Sequence, residues 1–196
     1  MPIERRAEVS RRTRETDIRV SLDIDGRGVA RVKTGIRFLD HLLTSLAVHG
    51  RFDLEVEATS LDQCAHHLVE DVAIVLGRAL KSALGDKRGI RRFGYALVPM
   101  DEALVLVAVD LSGRGYAEVE VEFDRDVIDG MDARLIRHLL GSMALNAGLT
   151  LHAMALRGSD DHHKAESLFK SLGVSLHMAT RTWGPATIPS SKGVLE

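Results

Sequence analysis

Two short stretches, "AHHLVE" at residues 65–70 and "DHHKAE" at residues 161–166, both spell His-His-x-x-Glu. If they mark an internal duplication, that duplication constrains the fold more than any composition value, because each copy must then be the same supersecondary unit. The rest of the chain supports it. Ile18, Val20, Leu22 and Ile24 alternate with polar residues at the period of a half-buried strand. "DGRG" at 25–28 reads as a turn and "VARVKT" as a returning strand, which predicts a hairpin. The second half answers with "EALVLVAVDL", "SGRG" and "YAEVEVEF". Helical patterns follow in both halves, "FLDHLLTSLAVHG" and "LIRHLLGSMALNAG", each containing His-Leu-Leu at His41 or His138. From His41 to His66 is 25 residues and from His138 to His162 is 24. Between them lies an apolar strand, "FDLEVEA" or "LTLHAMAL", and then a polar loop in which Asp62, or one of residues 159–161, can cap the next helix. The chain is therefore predicted to be α+β, with two tandem β-β-α-β-α repeats at residues 1–90 and 91–196 whose sheets pack against helices. The second repeat carries about ten extra residues around "DRDVIDGMDA".

At 196 residues the chain suffices for one full core or two halves sharing one. A net charge of −2 with interspersed signs gives no reason to expect a nucleic-acid or anionic-membrane partner. The start, "MPIERRAEVSRRTRET", reads as a short basic arm, with no apolar run behind it to make a secretory signal. The longest apolar run, Ala103 to Val109, is far short of the ~20 residues that span a bilayer. Cys64 is the only cysteine, so a reducing compartment is expected, and with it a cytoplasmic location.

Within each His-His-x-x-Glu the glutamate lies about one helical turn beyond the histidines, so imidazole and carboxylate share a face. Adjacent histidines diverge by ~100° about the axis and do not readily serve one ion. With His41 and His138, the chain offers six imidazoles (His41, His66, His67, His138, His162, His163) and two carboxylates, Glu70 and Glu166. That set is enough for two ions, and without thiolate it suits manganese, iron, nickel or zinc. A lone copy would read as a solvated helix face; duplication at matched spacing favours ligation. His49 aligns with Asn146 and His152 with Glu55, so these two stand outside the symmetry, and with His177 they read as packing or surface residues. Cys64 likewise has no counterpart. Asp40, Asp71 and Asp161 lie beside the ligands, where helix capping or surface polarity competes with orienting an imidazole.

The stretches "RETDIRVSLDIDGRG", "TGIRFLDHLLTSLAVHG", "HHLVEDVAIVLG", "MDEALVLVAVDLSGR", "RHLLGSMALNAGLTLHA", "DDHHKAESLFK" and "IPSSKGVL" resemble the imidazoleglycerol-phosphate dehydratase family over nearly the whole chain. The resemblance implies a lyase of L-histidine biosynthesis that removes water from imidazole glycerol phosphate to leave imidazole acetol phosphate. It implies a repeat of the ribosomal protein S5 domain 2-like type, a large octahedral homo-oligomer, and a pair of Mn2+ ions on His41, His66, His67, Glu70, His138, His162, His163 and Glu166. The proton to be removed lies on a carbon bearing no carbonyl, so direct elimination is slow; an imidazole held between two cations loses its N–H proton more readily and can push out the hydroxyl. Glu15 matches a substrate-contacting glutamate and is a candidate acid or base, although its repeat counterpart Glu102 suggests a structural position as well. Arg92, Arg114, Ser190 and Lys192 match phosphate contacts, and Lys170 a further substrate-site lysine. Ser45 stands where the family often has glutamine.

The same ions acting on water would make a two-metal phosphoester hydrolase, which is disfavoured by the scarcity of bridging carboxylates. A metal-storing assembly protein would have no use for Arg92, Arg114 and Lys192.

Overall fold

The computed structural model describes residues 4–195. The first repeat runs β1 (Arg6–Arg12), β2 (Thr16–Asp23), β3 (Ala30–Lys33), α1 (Arg37–Gly50), β4 (Asp53–Ser60), α2 (Ala65–Leu84). The second runs β5 (Phe93–Met100), β6 (Ala103–Asp110), β7 (Tyr116–Glu120), a small hairpin β8 (Val127–Ile128) and β9 (Met131–Asp132), then α3 (Arg134–Ala147), β10 (Thr150–Arg157) and α4 (Asp161–Thr180). Each repeat holds the expected β-β-α-β-α unit, preceded by one more strand.

The arginine-rich start is that extra strand, not a free arm. Arg6, Glu8, Ser10 and Arg12 face outward and hide the alternation, while Ala7, Val9 and Arg11 are partly covered, and Arg11 pairs with the buried Asp71 of α2. In β5 the signal is blurred by Gly94, by Pro99 and by large apolar residues on the outer face. Pro99 is tolerated because β5 is an edge strand. Gly94 is required because a Cβ there would lie 1.9 Å from the Ser175 carbonyl oxygen of α4.

The expected hairpins do not form. The sheets are ordered β1-β2-β4-β3 and β5-β6-β10-β7, so the later strand β4 or β10 lies between the two strands joined by Gly-Arg-Gly. β4 is antiparallel to β2 and parallel to β3, and β10 repeats this with β6 and β7. The Gly-Arg-Gly segment is thus a crossover passing over the end of the central strand. Asp53 Oδ1 accepts the N–H groups of Arg27 and Val29 there, and a Cβ on Gly26 would meet the Asp53 nitrogen at 2.3 Å. Alternation alone marks a strand but does not name its neighbour.

All four helices lie between the two sheets, each against its own sheet and one helix of the other repeat: α1 packs on α4 and α2 on α3. Two glycines at equivalent positions allow the close approach. A Cβ on Gly173 would lie 2.4 Å from the Leu46 carbonyl oxygen of α1, and one on Gly77 would lie 2.6 Å from that of Met143 on α3. Because the obstacle is backbone, Gly173→Ala is expected to destabilise the fold by about 1–3 kcal/mol. Gly141→Ala, whose Cβ would meet nothing within 4 Å, should be neutral or slightly stabilising. Urea unfolding of the two variants side by side checks this.

The outer faces of the two sheets differ. The first is charged, with Arg19 beside Glu57 and Glu55 beside Arg31. The second exposes Phe93, Tyr95, Leu97, Tyr116 and Met154, each at least 41% accessible. Among the described residues no helix is long and apolar enough to cross a membrane.

Candidate metal centre and substrate site

The helix pairing decides which ligands meet. His41 of α1 reaches His162 and Glu166 of α4, and His138 of α3 reaches His66 and Glu70 of α2, because each helix packs on a partner from the other repeat. In each triad the ligand atoms lie within 4.8 Å of one another. Glu166 Oε2 lies 2.9 Å from His41 Nε2 and 3.2 Å from His162 Nε2. Glu70 lies 4.0 Å from His66 Nε2 and 3.8 Å from His138 Nε2, and the His66 and His138 rings stack at 4.5 Å.

Adjacent histidines diverge as helix geometry requires. The His66 and His67 rings stand at 78° and those of His162 and His163 at 86°, so His67 and His163 fall outside the triads. Their Nδ1 atoms face carboxylates instead: Asp62 Oδ2 at 2.6 Å from His67 and Glu102 Oε2 at 2.8 Å from His163. A carboxylate oxygen only accepts, so each ring carries its proton on Nδ1 and offers the Nε2 lone pair. These hydrogen bonds hold His67 and His163 above the ordinary imidazole pKa. Burial pushes the Glu166 carboxyl up, but hydrogen bonds from Lys170 and His41 outweigh it and hold it at about 2.

The donor set fits divalent transition metal. Imidazole and carboxylate converge without thiolate, and His138 Nε2 is buried with no hydrogen-bond partner among the described residues, as a nitrogen awaiting a cation would be. Three carboxylates that sequence reasoning did not assign to imidazoles, Asp62, Glu102 and Asp129, take that place. The three it considered are engaged elsewhere. Asp40 accepts from Thr34, Asp71 pairs with Thr16 and Arg11, and Asp161 holds the Asp124 and Arg125 N–H groups and Lys164. Asp160 caps α4 through the N–H groups of His162 and His163, while Asp62 caps no helical N–H and bonds Cys64 N and His67. Phe38 was also missed. It sits one turn before His41, its ring 6.3 Å from that of His41 and 5.2 Å from that of His162, walling the triad on its apolar side. His49 is exposed near the end of α1, where partial burial and then Lys170 push its pKa down, with Glu166 opposing. His177 is a packing residue that donates to the Gly50 carbonyl, His152 is exposed on β10, and Ser45 is buried in α1.

The Glu15 carboxylate is about half exposed, 3.9 Å from His67 Nδ1. Lys170 Nζ lies 2.8 Å from Glu166 Oε1 and so sits at the triad. Arg92 binds Asp110 through two nitrogens at 2.7 and 3.0 Å and donates to the Pro189 carbonyl at 2.9 Å, which fixes the tail that carries Ser190 and Lys192. Arg114 is exposed in the β6–β7 crossover. Arg92 N–H also donates to the Ala179 carbonyl at the far end of α4. Thirteen residues of helix separate Ala179 from Glu166, about 20 Å. Within one chain Arg92 and the His41–His162–Glu166 triad therefore lie far apart.

Comparison with known proteins identifies the family. The family model of imidazoleglycerol-phosphate dehydratase matches residues 34–176. The imidazoleglycerol-phosphate dehydratase of Methanothermobacter thermautotrophicus is 52% identical over 192 residues, covering 97% of this chain and 98% of its own. That of Acetivibrio thermocellus is 51% identical over 180 residues, covering 91% and 92%. The crystal structure of the Pyrococcus furiosus protein superposes with a TM-score of 0.82 at 38% identity, over 95% of this chain and all of the other. With the family model matching residues 34–176 and about half its residues shared with relatives along nearly the full length, the chain belongs to the imidazoleglycerol-phosphate dehydratase family.

Proposed function

We infer that the chain dehydrates imidazole glycerol phosphate to imidazole acetol phosphate in histidine biosynthesis, and that it does so with two divalent ions, manganese foremost, held by the six histidines and two glutamates. The observation that carries the metal reading is the pair of cross-repeat triads, one of them with an orphaned buried Nε2. When bound, the ions supply Lewis acidity that stabilises the deprotonated substrate ring. The chain's own residues do the rest. Asp62 and Glu102 hold His67 and His163 through Nδ1 and leave each Nε2 lone pair available, Phe38 keeps one side of the triad dry, and Lys170 neutralises Glu166. Glu15 transfers protons at the reacting carbons. Arg92, Arg114, Ser190 and Lys192 take the phosphate.

The ~20 Å between Glu166 and the Arg92 end of α4 is too long for one three-carbon chain, which supports a neighbouring copy furnishing the phosphate end of that site. The apolar outer face of the second sheet supports self-association into a large, octahedral homo-oligomer, since exposed patches of this kind mark interaction surfaces. The single cysteine fits a cytoplasmic enzyme.

Incubating the protein with imidazole glycerol phosphate and Mn2+ tests the reading. Formation of the ketone supports it; release of inorganic phosphate without ketone would make the protein a hydrolase. In the same assay Arg114→Ala is expected to raise KM by about 10- to 150-fold, the equivalent of ~1.5–3 kcal/mol of charge-assisted hydrogen bonding, with kcat less affected. An unchanged KM would remove Arg114 from the phosphate site.

A further inference from the structure

We propose that Asp129 is a positioning residue for one of the two triads, acting through His162. The proposal rests on the di-metal reading above and concerns a residue outside the repeated pattern. Asp129 belongs to the ten or so residues that the second repeat has and the first lacks. There the structure places a two-residue hairpin, β8 to β9, whose turn residues Asp129 and Gly130 have φ of 45° and 85°. Such a turn needs positive φ at both places and favours Asp-Gly. The strands anchor it through Ile128 and Met131, at most 2% exposed, so the turn is held on the core.

From that fixed turn Asp129 Oδ2 lies 2.5 Å from His162 Nδ1. The oxygen accepts, so the contact keeps a proton on Nδ1 and aims Nε2 at the triad, where Glu166 Oε2 is 3.2 Å away. Asp129, Arg37, Phe38, His41 and His162 line one cavity, which puts the carboxylate at the wall of the site. The other triad has no such support: among the described residues His66, the repeat counterpart of His162, has no hydrogen bond from either ring nitrogen to a carboxylate. The duplication therefore produced two metal sites of unequal preorganisation, and the insertion braces one of them.

Asp129→Gly deletes the carboxylate while keeping a residue that accepts positive φ, and Asp129→Asn restores an acceptor oxygen at a position asparagine tolerates. Metal-free protein is titrated with Mn2+, following the free-ion electron paramagnetic resonance signal, without substrate. Asp129→Gly is expected to weaken one class of about one ion per chain by 10- to 100-fold and leave the other class in place. Asp129→Asn should recover most of that loss, with the thermal midpoint of the metal-free protein unchanged in both variants. A glycine variant that titrates like wild type, or one that weakens both classes equally, overturns the proposal while the di-metal reading stands. A wild type that takes up no Mn2+ overturns both.

Discussion

Replacing Glu15 by glutamine is expected to lower kcat for the dehydration by about 10²–10⁴-fold while leaving metal content and assembly unchanged. The repeat supplies the comparison. Glu102, at the equivalent position, is fully committed: Oε1 accepts the N–H groups of Ser159 and Asp160 at 3.1 and 2.8 Å, and Oε2 meets His163 Nδ1 at 2.8 Å. The His163 hydrogen bond, with those backbone donors, pulls its carboxyl to about 2, so it stays ionised and moves no proton near neutrality. Glu15 makes none of those bonds. The corresponding task beside His67 has passed to Asp62, and the Glu15 carboxylate is left half exposed beside the imidazole cluster. On the proposed function, one copy became structural and the other was released for chemistry. Steady-state kinetics of Glu15→Gln and Glu102→Gln separate the two roles. The first should lose turnover with a normal thermal midpoint, and the second should lose loop order and His163 orientation. Near-normal turnover in Glu15→Gln would return Glu15 to the structural reading.

The duplication, the four helices and the candidate ligand residues were legible in the sequence because these depend on local periodicity and spacing. What it hid depends on the partner each element finds. The strand at Ile18–Ile24 was legible, yet its neighbour was not: β4, formed thirty residues later, takes the slot that a simple hairpin would give to β3. β1 and β5 were lost for opposite reasons, the first to a run of outward-facing charge and the second to outward-facing apolar residues. Both are edge strands, where alternation is least enforced by a second neighbour.

The candidate site divides the same way. Spacing along a helix predicted that His66 and His67, or His162 and His163, would part company, and ring angles near perpendicular agree. Helix-to-helix pairing, which joins His41 to Glu166 across 125 residues, left no local mark. Nor did the orienting carboxylates. Asp62, Glu102 and Asp129 act from loops and turns, and nothing within a few residues of Asp129 points to a histidine 33 residues away.

Stripping divalent metal is expected to abolish turnover and to break a large closed oligomer into smaller species, both reversed by Mn2+. Each triad uses one histidine of its pair, leaving His67 beside Glu15 and Asp62 and His163 beside Glu102 and Asp101, and among the described residues neither meets a second imidazole to complete a site. Completing each site from a neighbouring copy makes every ion a bridge, and binding at 100 times Kd then favours the assembled state by about 2.7 kcal/mol per site. The pH dependence follows from the same residues, and its sign differs between the two forms. His67 and His163 have raised pKa values, so in the metal-free protein their pairing with Asp62 and Glu102 is fully present below the ordinary 6.5 and fades as pH rises through the folded values. Glu102 and Glu166, held at about 2, contribute above the ordinary 4.5 and lose that contribution only as pH falls from there toward 2. Protons compete with metal for the same imidazoles. Acidification from pH 8 to 6 should therefore lower the thermal midpoint of the Mn2+-loaded protein and leave that of the metal-free protein level or slightly higher. Sedimentation should show dissociation over the same interval, well before the carboxylates titrate. His163→Ala should mimic it at neutral pH, binding about one ion per chain in place of two. An assembly that survives chelation, or wild-type protein holding a single ion per chain, would show that the ions do not join the copies.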